Sequence, residues 1–379
     1  MRKFHAFEYT YKINITAQMA NLQKQFEQYH DTIKLRRIGE EAILIEKRDI
    51  IRKKLKDNLP GVFADHDEEN LVPDFYDQGS YEMKTGVKPL NGDYDIDQGV
   101  YFPTSNVNGA YANDPVLLKE RVVEALNGHT KEVCIRRPCV TVFYQKDGER
   151  VYHVDLAIYS DGGNNPDGLD YLAMGKRNSG DDYREWQRSN PTVLKDTLFK
   201  RFANDETARR QFRRIIRYLK RWKDLNFSAE GNHAPRGIGL TISAHEGFVA
   251  KYTDIIAGKP DDLAALRGVV DDMLNRFVSS TKYENGQFIT IRRLTAYLPV
   301  EPHTDIYARM SDAQIQGLED KLKNLKAALE KAASEVDTVE ACTILASNKV
   351  LGDCFPVPTK AASAVITKTV AVASSSNNG

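Results

Sequence analysis

Alternating apolar and polar residues mark two strands in the first half of the chain. Residues 93–102 (DYDIDQGVYF) alternate as a strand does when one of its faces is buried, so Tyr94, Ile96 and Val100 are predicted to face a core. Residues 150–159 (RVYHVDLAIY) repeat this pattern, with a single acid in the middle. The two runs therefore predict neighbouring strands of a half-buried sheet.

The acidic residues of these two strands are the strongest candidates for chemistry. Asp95 and Asp97 are two residues apart and so project from the same strand face, and Asp155 lies within the second strand. Three converging carboxylates repel one another unless cations neutralise them. Mg²⁺ suits such ligands together with phosphate oxygens, and Mn²⁺ is the alternative. The pattern predicts a site for two metal ions, roughly 3.5–4 Å apart, that transfers a nucleotidyl group.

A glycine-serine pair precedes the first acidic strand. Gly79 allows the backbone to come close to phosphates, and the N–H and hydroxyl of Ser80 can donate to their oxygens, with Gln78 beside them. Residues 81–84 are predicted to begin a short helix that adds a favourable dipole. A lone Gly-Ser is usually a turn, and a lone acid on a strand is often structural. The combination in this order favours a triphosphate cradle next to the metal site.

The elements around this motif follow from periodicity and from breaking residues. Residues 12–58 carry apolar residues at mixed helical spacing and are predicted to form backing helices, which Pro60 and Gly61 end. The catalytic sheet is predicted over residues 74–160. The glycine- and asparagine-rich residues 161–168 are predicted to form an exposed turn that closes the first lobe.

Helical periodicity dominates the second half, from about Asn190 onward. Residues 206–225 form a predicted helix whose apolar stripe is Phe212, Ile215, Ile216, Leu219 and Trp222. Its opposite face is rich in Arg and Lys, and such a face is usually solvated or paired with acids such as Asp205 and Asp224. A charged helix after Asp312 is predicted to pack on this lobe through Leu318, Leu322, Leu325 and Leu329.

These motifs resemble a known family. Residues 78–81 (QGSY), 88–90 (KPL) and 93–101 (DYDIDQGVY) look like the cGAS/DncV-like nucleotidyltransferases (CD-NTases) of bacterial CBASS anti-phage defence, a branch of the polymerase-beta-like superfamily. The resemblance covers about residues 1–310. It implies an α+β, bilobal fold with a mixed catalytic sheet and a mostly helical second lobe. It also implies an enzyme that joins ATP, and GTP in some members, into a cyclic di- or trinucleotide that activates an effector.

The resemblance also implies further site residues. The family places a lysine just before an aromatic residue on the basic helix, which matches Lys220 and predicts a phosphate contact. A family serine at the start of the next helix is replaced here by Arg236, which can hold phosphate bidentately. Some members are joined to targets through the C-terminal residue by ubiquitin-like conjugating enzymes (E1/E2). Gly379, after a tail rich in small residues, is the candidate conjugation site.

Composition narrows the function classes. The 379 residues contain 53 Lys plus Arg and 53 Asp plus Glu, so the formal net charge is zero and no extended nucleic-acid track is predicted. This weighs against the main catalytic alternative, a template-independent RNA nucleotidyltransferase of the poly(A) or CCA-adding type. The three intact acids weigh against a catalytically silent nucleotide-binding protein. Cys134, Cys139 and His129 are spaced too openly for a typical zinc site.

The same patterns predict organisation and location. The predicted division is a catalytic lobe with backing helices over residues 1–185, a helical lobe over 186–335 and a C-terminal segment over 336–379. No run reaches the roughly 18 apolar residues of a membrane span, and residues 1–5 (MRKFH) lack the apolar core of a signal peptide. A cytoplasmic protein without a membrane partner is therefore expected.

Overall fold

The computed structural model describes residues 19–35, 40–90, 92–228, 234–284 and 286–359. Gly379 and the tail before it lie outside these residues. The helices are α1 Gln23–Ile33, α2 Glu40–Asp65, α3 Gly79–Glu82, α4 Pro115–Ala125, α5 Pro191–Lys200, α6 Glu206–Asn226, α7 Gly237–Gly247, α8 Asp262–Asn275, α9 Asp312–Ser334 and α10 Thr338–Leu345. The strands are β1 Asp74–Asp77, β2 Tyr94–Phe102, β3 Glu132–Ile135, β4 Val140–Lys146, β5 Glu149–Ser160, β6 Tyr171–Met174, β7 Glu185–Arg188, β8 Tyr252–Asp254, β9 Lys259–Pro260, β10 Val278–Glu284 and β11 Gln287–Arg293.

A mixed sheet forms the first body of the molecule. Its strand order is β1-β2-β5-β4-β3, with β6 paired to β5 and β7 paired to β6. Only β2 and β5 run parallel among these pairs. The predicted α+β class with a mixed catalytic sheet is confirmed. We call β1–β7 together with α2 and α4 the sheet body.

The buried face of the sheet is the one that the alternation predicts. Ile96 and Val100 of β2 are buried, and Tyr94 packs against the same cluster. Helices α2 and α4 cover this face with apolar side chains, among them Leu55 and Val122. Because side chains alternate along a strand, the acids of β2 point away from these helices.

Helix α2 continues past the predicted break. It runs through Pro60 and Gly61 to Asp65, so the prediction that these residues end it is wrong. Leu55, Leu59 and Phe63 lie four residues apart and are all buried, so one more turn buries additional apolar surface. Pro60 is exposed, and the carbonyl that lacks its amide partner can bond to water instead.

The turn after β5 does not close the first lobe. The chain reverses there and adds β6 and β7 to the sheet. Most of the turn is exposed as predicted, at residues 163, 164 and 166–168, but Gly162 and Asn165 are buried. The Asn165 amide accepts from the Ser160 hydroxyl at 2.7 Å and donates to the Leu169 carbonyl at 2.7 Å, which fastens the reversal.

The second body is helical, as predicted. The stripe of α6 and the leucines of α9 are buried in one cluster, which confirms both helices and their faces. We call α1 and α6–α10 the helical body. Helix α1 belongs to it because Phe26, Tyr29 and Ile33 pack in this cluster and not on the sheet. Backing of the sheet therefore comes from α2, and the predicted division near residue 185 stays a prediction.

Among the described residues, no helix is both long enough and apolar enough to cross a bilayer.

Candidate active site

The parallel pairing of β2 with β5 brings the predicted acids together. Asp97 is the register partner of Asp155, and Asp95 is the register partner of His153. Paired strands lie about 4.8 Å apart, so Asp97 and Asp155 are nearest neighbours across the ladder on one sheet face. Asp95 lies two residues before Asp97 on that face. The register therefore places the three acids on one face of two adjacent strands.

Asp155 is held from the other side by β4. Thr141, its register partner on β4, is buried and donates its hydroxyl hydrogen to Asp155 Oδ1 at 2.5 Å. Within the described parts of the chain, no three His, Cys, Asp or Glu side chains are close enough to hold one metal ion between them. The acids are therefore adjacent, with one oxygen of Asp155 engaged by Thr141. Sequence reasoning missed Thr141, which only the strand register identifies.

The carboxyl group of Asp97 is electrostatically perturbed. Burial, which is the largest cause, and the nearby charges of Asp95 and Asp155 together raise its pKa to about 7. Lys220 and His153 oppose this shift. A carboxylate cluster whose mutual repulsion the protein leaves largely unneutralised fits divalent cations, which favour the charged carboxylates.

Gly79 lies directly against Asp97. Its φ of +61° is in the left-handed region, and a methyl group built on its Cα would overlap the Asp97 carboxylate. Glycine is thus required for both the backbone conformation and the close approach. The one-turn helix α3 begins at Gly79 itself, not at Tyr81 as predicted. Ser80 is its second residue.

The side chain of Gln78 is engaged by two tyrosines of the sheet. It is buried, donates to the Tyr101 hydroxyl at 2.9 Å and accepts from the Tyr159 hydroxyl at 3.3 Å. The rings of Tyr101 and Tyr159 stack with centroids 4.4 Å apart. Because both polar ends of Gln78 are engaged there, its amide supports the strand face behind Gly79. The predicted nucleotide contact of Gln78 stays a prediction.

A cleft of about 400 Å³ separates the acids from the helical body. This volume is in the usual range for small-molecule sites. Its lining residues come from both bodies of the molecule: Gly79, Ser80, Met83, Thr85, Val87, Pro89, Asp95, Asp97, Lys220, Lys223, Asp224, Gly237, Ile238 and Thr241. The cleft thus combines the predicted cradle, two of the three acids and the predicted lysine, whereas Asp155 is outside the lining.

Lys220 faces the acids from α6. Its ammonium donates to the Thr85 carbonyl oxygen at 3.2 Å and to the Thr85 hydroxyl at 3.3 Å. Burial lowers the pKa of this ammonium to about 8, and Asp95 and Asp97 counteract the shift. Lys223 and Asp224, which sequence reasoning did not assign to the site, follow three and four residues later and so share its helix face.

Arg236 lies at the start of α7, where the prediction places it. It is the N-cap residue of this helix and is exposed, and the cleft lining includes its neighbour Gly237 but not Arg236 itself. The phosphate contact of Arg236 stays a prediction.

The fold is that of a polymerase-beta-like nucleotidyltransferase: a mixed sheet carries acids on two adjacent strands, a Gly-Ser turn lies against them, and a cationic helix faces them across the cleft. Residues 73–159 match the family model described as "Cyclic GMP-AMP synthase DncV-like, nucleotidyltransferase domain". Over these residues the chain carries a DncV-like nucleotidyltransferase domain, which agrees with the resemblance and with the enzyme class that the sequence motifs indicate.

Solved structures of Vibrio cholerae DncV share the fold. The GTP-bound form has a TM-score of 0.65 at 17% identity, covering 87% of this chain and 96% of that chain. The complex with the linear intermediate 5' pppA(3',5')pG has a TM-score of 0.62 at 17% identity, with the same coverage. A D-loop deletion mutant has a TM-score of 0.64 at 18% identity, covering 90% of this chain and 100% of that chain.

Proposed function

We propose that this enzyme joins nucleoside triphosphates, ATP and in addition GTP, into an adenine-containing cyclic di- or trinucleotide. The observation that carries the proposal is the position of Asp97. Its carboxylate is partly buried, borders two other acids and lies against the left-handed Gly79 at the floor of a cleft. Such a carboxylate is unfavourable for a structural protein and useful for one that binds metal-nucleotide complexes.

Two groups of residues hold the donor nucleotide in this proposal. Gly79 and Ser80 offer backbone N–H groups and a hydroxyl from the first turn of α3, and Lys220 offers an ammonium from the facing helix. The triphosphate would lie between them, since both line the same cleft. Phosphate oxygens favour such charge-assisted hydrogen bonds.

The acids would hold the catalytic metals in this proposal. Asp95 and Asp97 would bind two Mg²⁺ ions, or Mn²⁺ ions in their place, and Asp155 would complete the site nearer the acceptor. When bound, such ions assist deprotonation of the acceptor 3'-hydroxyl and neutralise the leaving pyrophosphate. The hydroxyl oxygen then forms a bond to the α-phosphorus of the donor, and the bond from that phosphorus to the pyrophosphate oxygen breaks. Asp95 and Asp97 orient the α-phosphate for this displacement.

Ring closure requires the linear product to be bound again so that its own 3'-hydroxyl attacks next. A cleft that holds both ends makes this step intramolecular and so favours it over a second donor. Vibrio cholerae DncV, a cyclic AMP-GMP synthase, has been crystallised with a linear intermediate, and this complex supports the proposed order of steps.

The biological role is proposed from the family resemblance. The cyclic product would activate an effector in anti-phage defence. An E1/E2 pair of the ubiquitin-like type would act on Gly379, and the enzyme would operate in the cytoplasm.

The product assay tests the proposal. The purified protein is incubated with Mg²⁺ and labelled triphosphates, singly and mixed, and the products are treated with phosphatase and identified by mass spectrometry. A phosphatase-resistant oligonucleotide that is lost in Asp95→Ala/Asp97→Ala is expected. Asp182→Ala, which removes an exposed acid of a distant turn, is the matched control and should keep activity.

Other products would contradict the proposal. Linear chains that phosphatase shortens would favour an RNA-extending transferase. A wild-type protein that binds triphosphates without forming product in any mixture would favour a nucleotide-binding protein.

A further inference from the structure

Segment 83–90 connects α3, which begins with the Gly79–Ser80 cradle, to the region before β2. Four cationic side chains on one face of α6 donate to backbone carbonyl groups of this segment, and we call them the α6 clamp. The contacts are Arg213 Nε to Met83 O at 3.2 Å, Arg217 Nε to Gly86 O at 3.1 Å, Arg217 Nη2 to Lys84 O, Lys220 Nζ to Thr85 O at 3.2 Å and Arg221 Nη2 to Lys88 O at 2.8 Å.

The clamp corrects the interpretation of the basic helix face. Some of its arginines do pair with acids, as Arg214 does with the buried Asp262 at 2.6 Å. The clamp residues instead bond to neutral carbonyl groups. Positions 213, 217, 220 and 221 repeat at intervals that place them on one side of a helix. From that side the four side chains reach successive carbonyl groups of one segment.

The helical body holds the segment from a second side as well. The Lys88 N–H donates to the Ile33 carbonyl at 2.9 Å, and the Leu35 N–H donates to the Gly86 carbonyl at 3.3 Å. Ile33 is the last residue of α1 and Leu35 follows it, and α1 packs in the helical body. The segment is therefore part of the sheet body by sequence and is attached to the helical body by its hydrogen bonds.

The segment is in turn bonded to the cradle. The Thr85 N–H donates to the Ser80 carbonyl at 2.8 Å, and the Met83 N–H donates to the Gly79 carbonyl at 3.2 Å. Thr85 is fully buried and also holds the ammonium of Lys220. A displacement of the segment would move the cradle and Lys220 together, and these are the two sides of the proposed triphosphate site.

We propose that Arg217 is a positioning residue for donor nucleotide binding. Through its two carbonyl bonds it holds segment 83–90 on α6, so that the cradle and Lys220 face each other before a nucleotide enters. Arg217 is not part of the cleft lining, so it acts through the segment and not by touching the nucleotide. The inference rests on the proposed function, because it assumes that a triphosphate binds between the cradle and Lys220.

The test compares Arg217→Gln and Arg217→Lys with Arg210→Gln. Arg210 is on the same helix, is exposed and pairs only with Glu206 at 2.8 Å among the contacts of the described residues, so it is a matched control. Arg217→Gln is expected to raise Kd and KM for the donor triphosphate about tenfold, the equivalent of one charge-assisted hydrogen bond, with kcat within about twofold. Arg217→Lys keeps the positive charge but loses the planar guanidinium that donates two hydrogen bonds, so it should recover only part of the affinity.

Hydrogen exchange of the nucleotide-free protein provides the second measurement. Amides of residues 83–88 are expected to exchange faster in Arg217→Gln than in the wild type and in Arg210→Gln. Unchanged exchange would overturn the clamp, and faster exchange with an unchanged Kd would overturn the positioning role. A tenfold loss of kcat without a change in KM would also overturn the positioning role. A wild type that binds no triphosphate would refute the proposed function, while exchange would still decide whether Arg217 holds the segment.

Discussion

Replacing Asp97 with asparagine is expected to stabilise the metal-free protein at neutral and alkaline pH while it abolishes activity. The pKa of Asp97 rises from its ordinary value of 3.8 to about 7, because burial and two neighbouring acids disfavour the charged form. At about 1.4 kcal/mol for each pH unit, this rise corresponds to about 4 kcal/mol of lost stability once the group is ionised. The side chain borders the open cleft, so screening by water reduces the expected gain in Asp97→Asn to about 1–2 kcal/mol.

The pH dependence follows from the direction of the shift. A carboxyl group whose pKa is higher in the folded than in the unfolded state does not destabilise the protein at a pH where the group is protonated in both states. The destabilisation grows as the pH rises from about 4 to about 7 and is constant above that. The stability difference between Asp97→Asn and the wild type should therefore be small at pH 4.5 and largest near pH 8.

Urea unfolding in the presence of a chelator, followed by circular dichroism at both pH values, measures this difference. Asp182→Asn, at an exposed position, is the control and should show no comparable change. Added Mg²⁺ should stabilise the wild type more than Asp97→Asn, because only the folded wild type offers the full set of carboxylates. A variant that is no more stable than the wild type at pH 8 would refute the account of an unneutralised acid cluster.

Three further changes test separate contacts. Gly79→Ala should lower kcat/KM at least about 100-fold, since the left-handed φ costs an alanine about 1–2 kcal/mol and the added methyl group displaces Asp97. The control Gly61→Ala, at an exposed helical position with no atom near the added methyl group, should stay fully active. Thr141→Val should lower kcat about tenfold by releasing Asp155, whereas Thr141→Ser should retain activity, as steady-state kinetics would measure. Triphosphate affinity should weaken as the pH rises through the Lys220 pKa of about 8, and in calorimetry Lys220→Arg should lose this dependence.

The sequence predicts those parts of the fold that local periodicity encodes. The alternation in β2 and β5 identifies the buried face, and the stripes of α6 and α9 identify the helices of the second body. The predictions fail where tertiary packing outweighs a local signal. Pro60 should end α2, but the buried Leu59 and Phe63 favour one more turn. The turn after β5 contains typical turn residues, yet the sheet continues because the chain re-enters it as β6.

The candidate site divides in the same way. Asp95 and Asp97 are recognisable because their spacing places them on one face of a strand, and Gly79 and Asp155 are recognisable because the Gly-Ser pair and the later strand acid follow the same motif in order. Thr141 and the role of Gln78 depend on which strand lies beside which, and no local pattern contains that information. The clamp was hidden for a further reason. Its acceptors are backbone carbonyl groups, which every residue type has, so the sequence of segment 83–90 carries no mark of them.

That choice of acceptors has a consequence for how the cleft can change. Hydrogen bonds from α6 reach main-chain carbonyl groups of the segment, and among the side chains of the segment the Thr85 hydroxyl also accepts from Lys220. Val87 and Pro89 line the cleft, and neither side chain takes part in the clamp. Changes in the shape of these two side chains are therefore expected to alter the cleft while the spacing between the cradle and Lys220 is preserved. The part of the segment that sets this spacing is thus separate from the part that shapes the cleft.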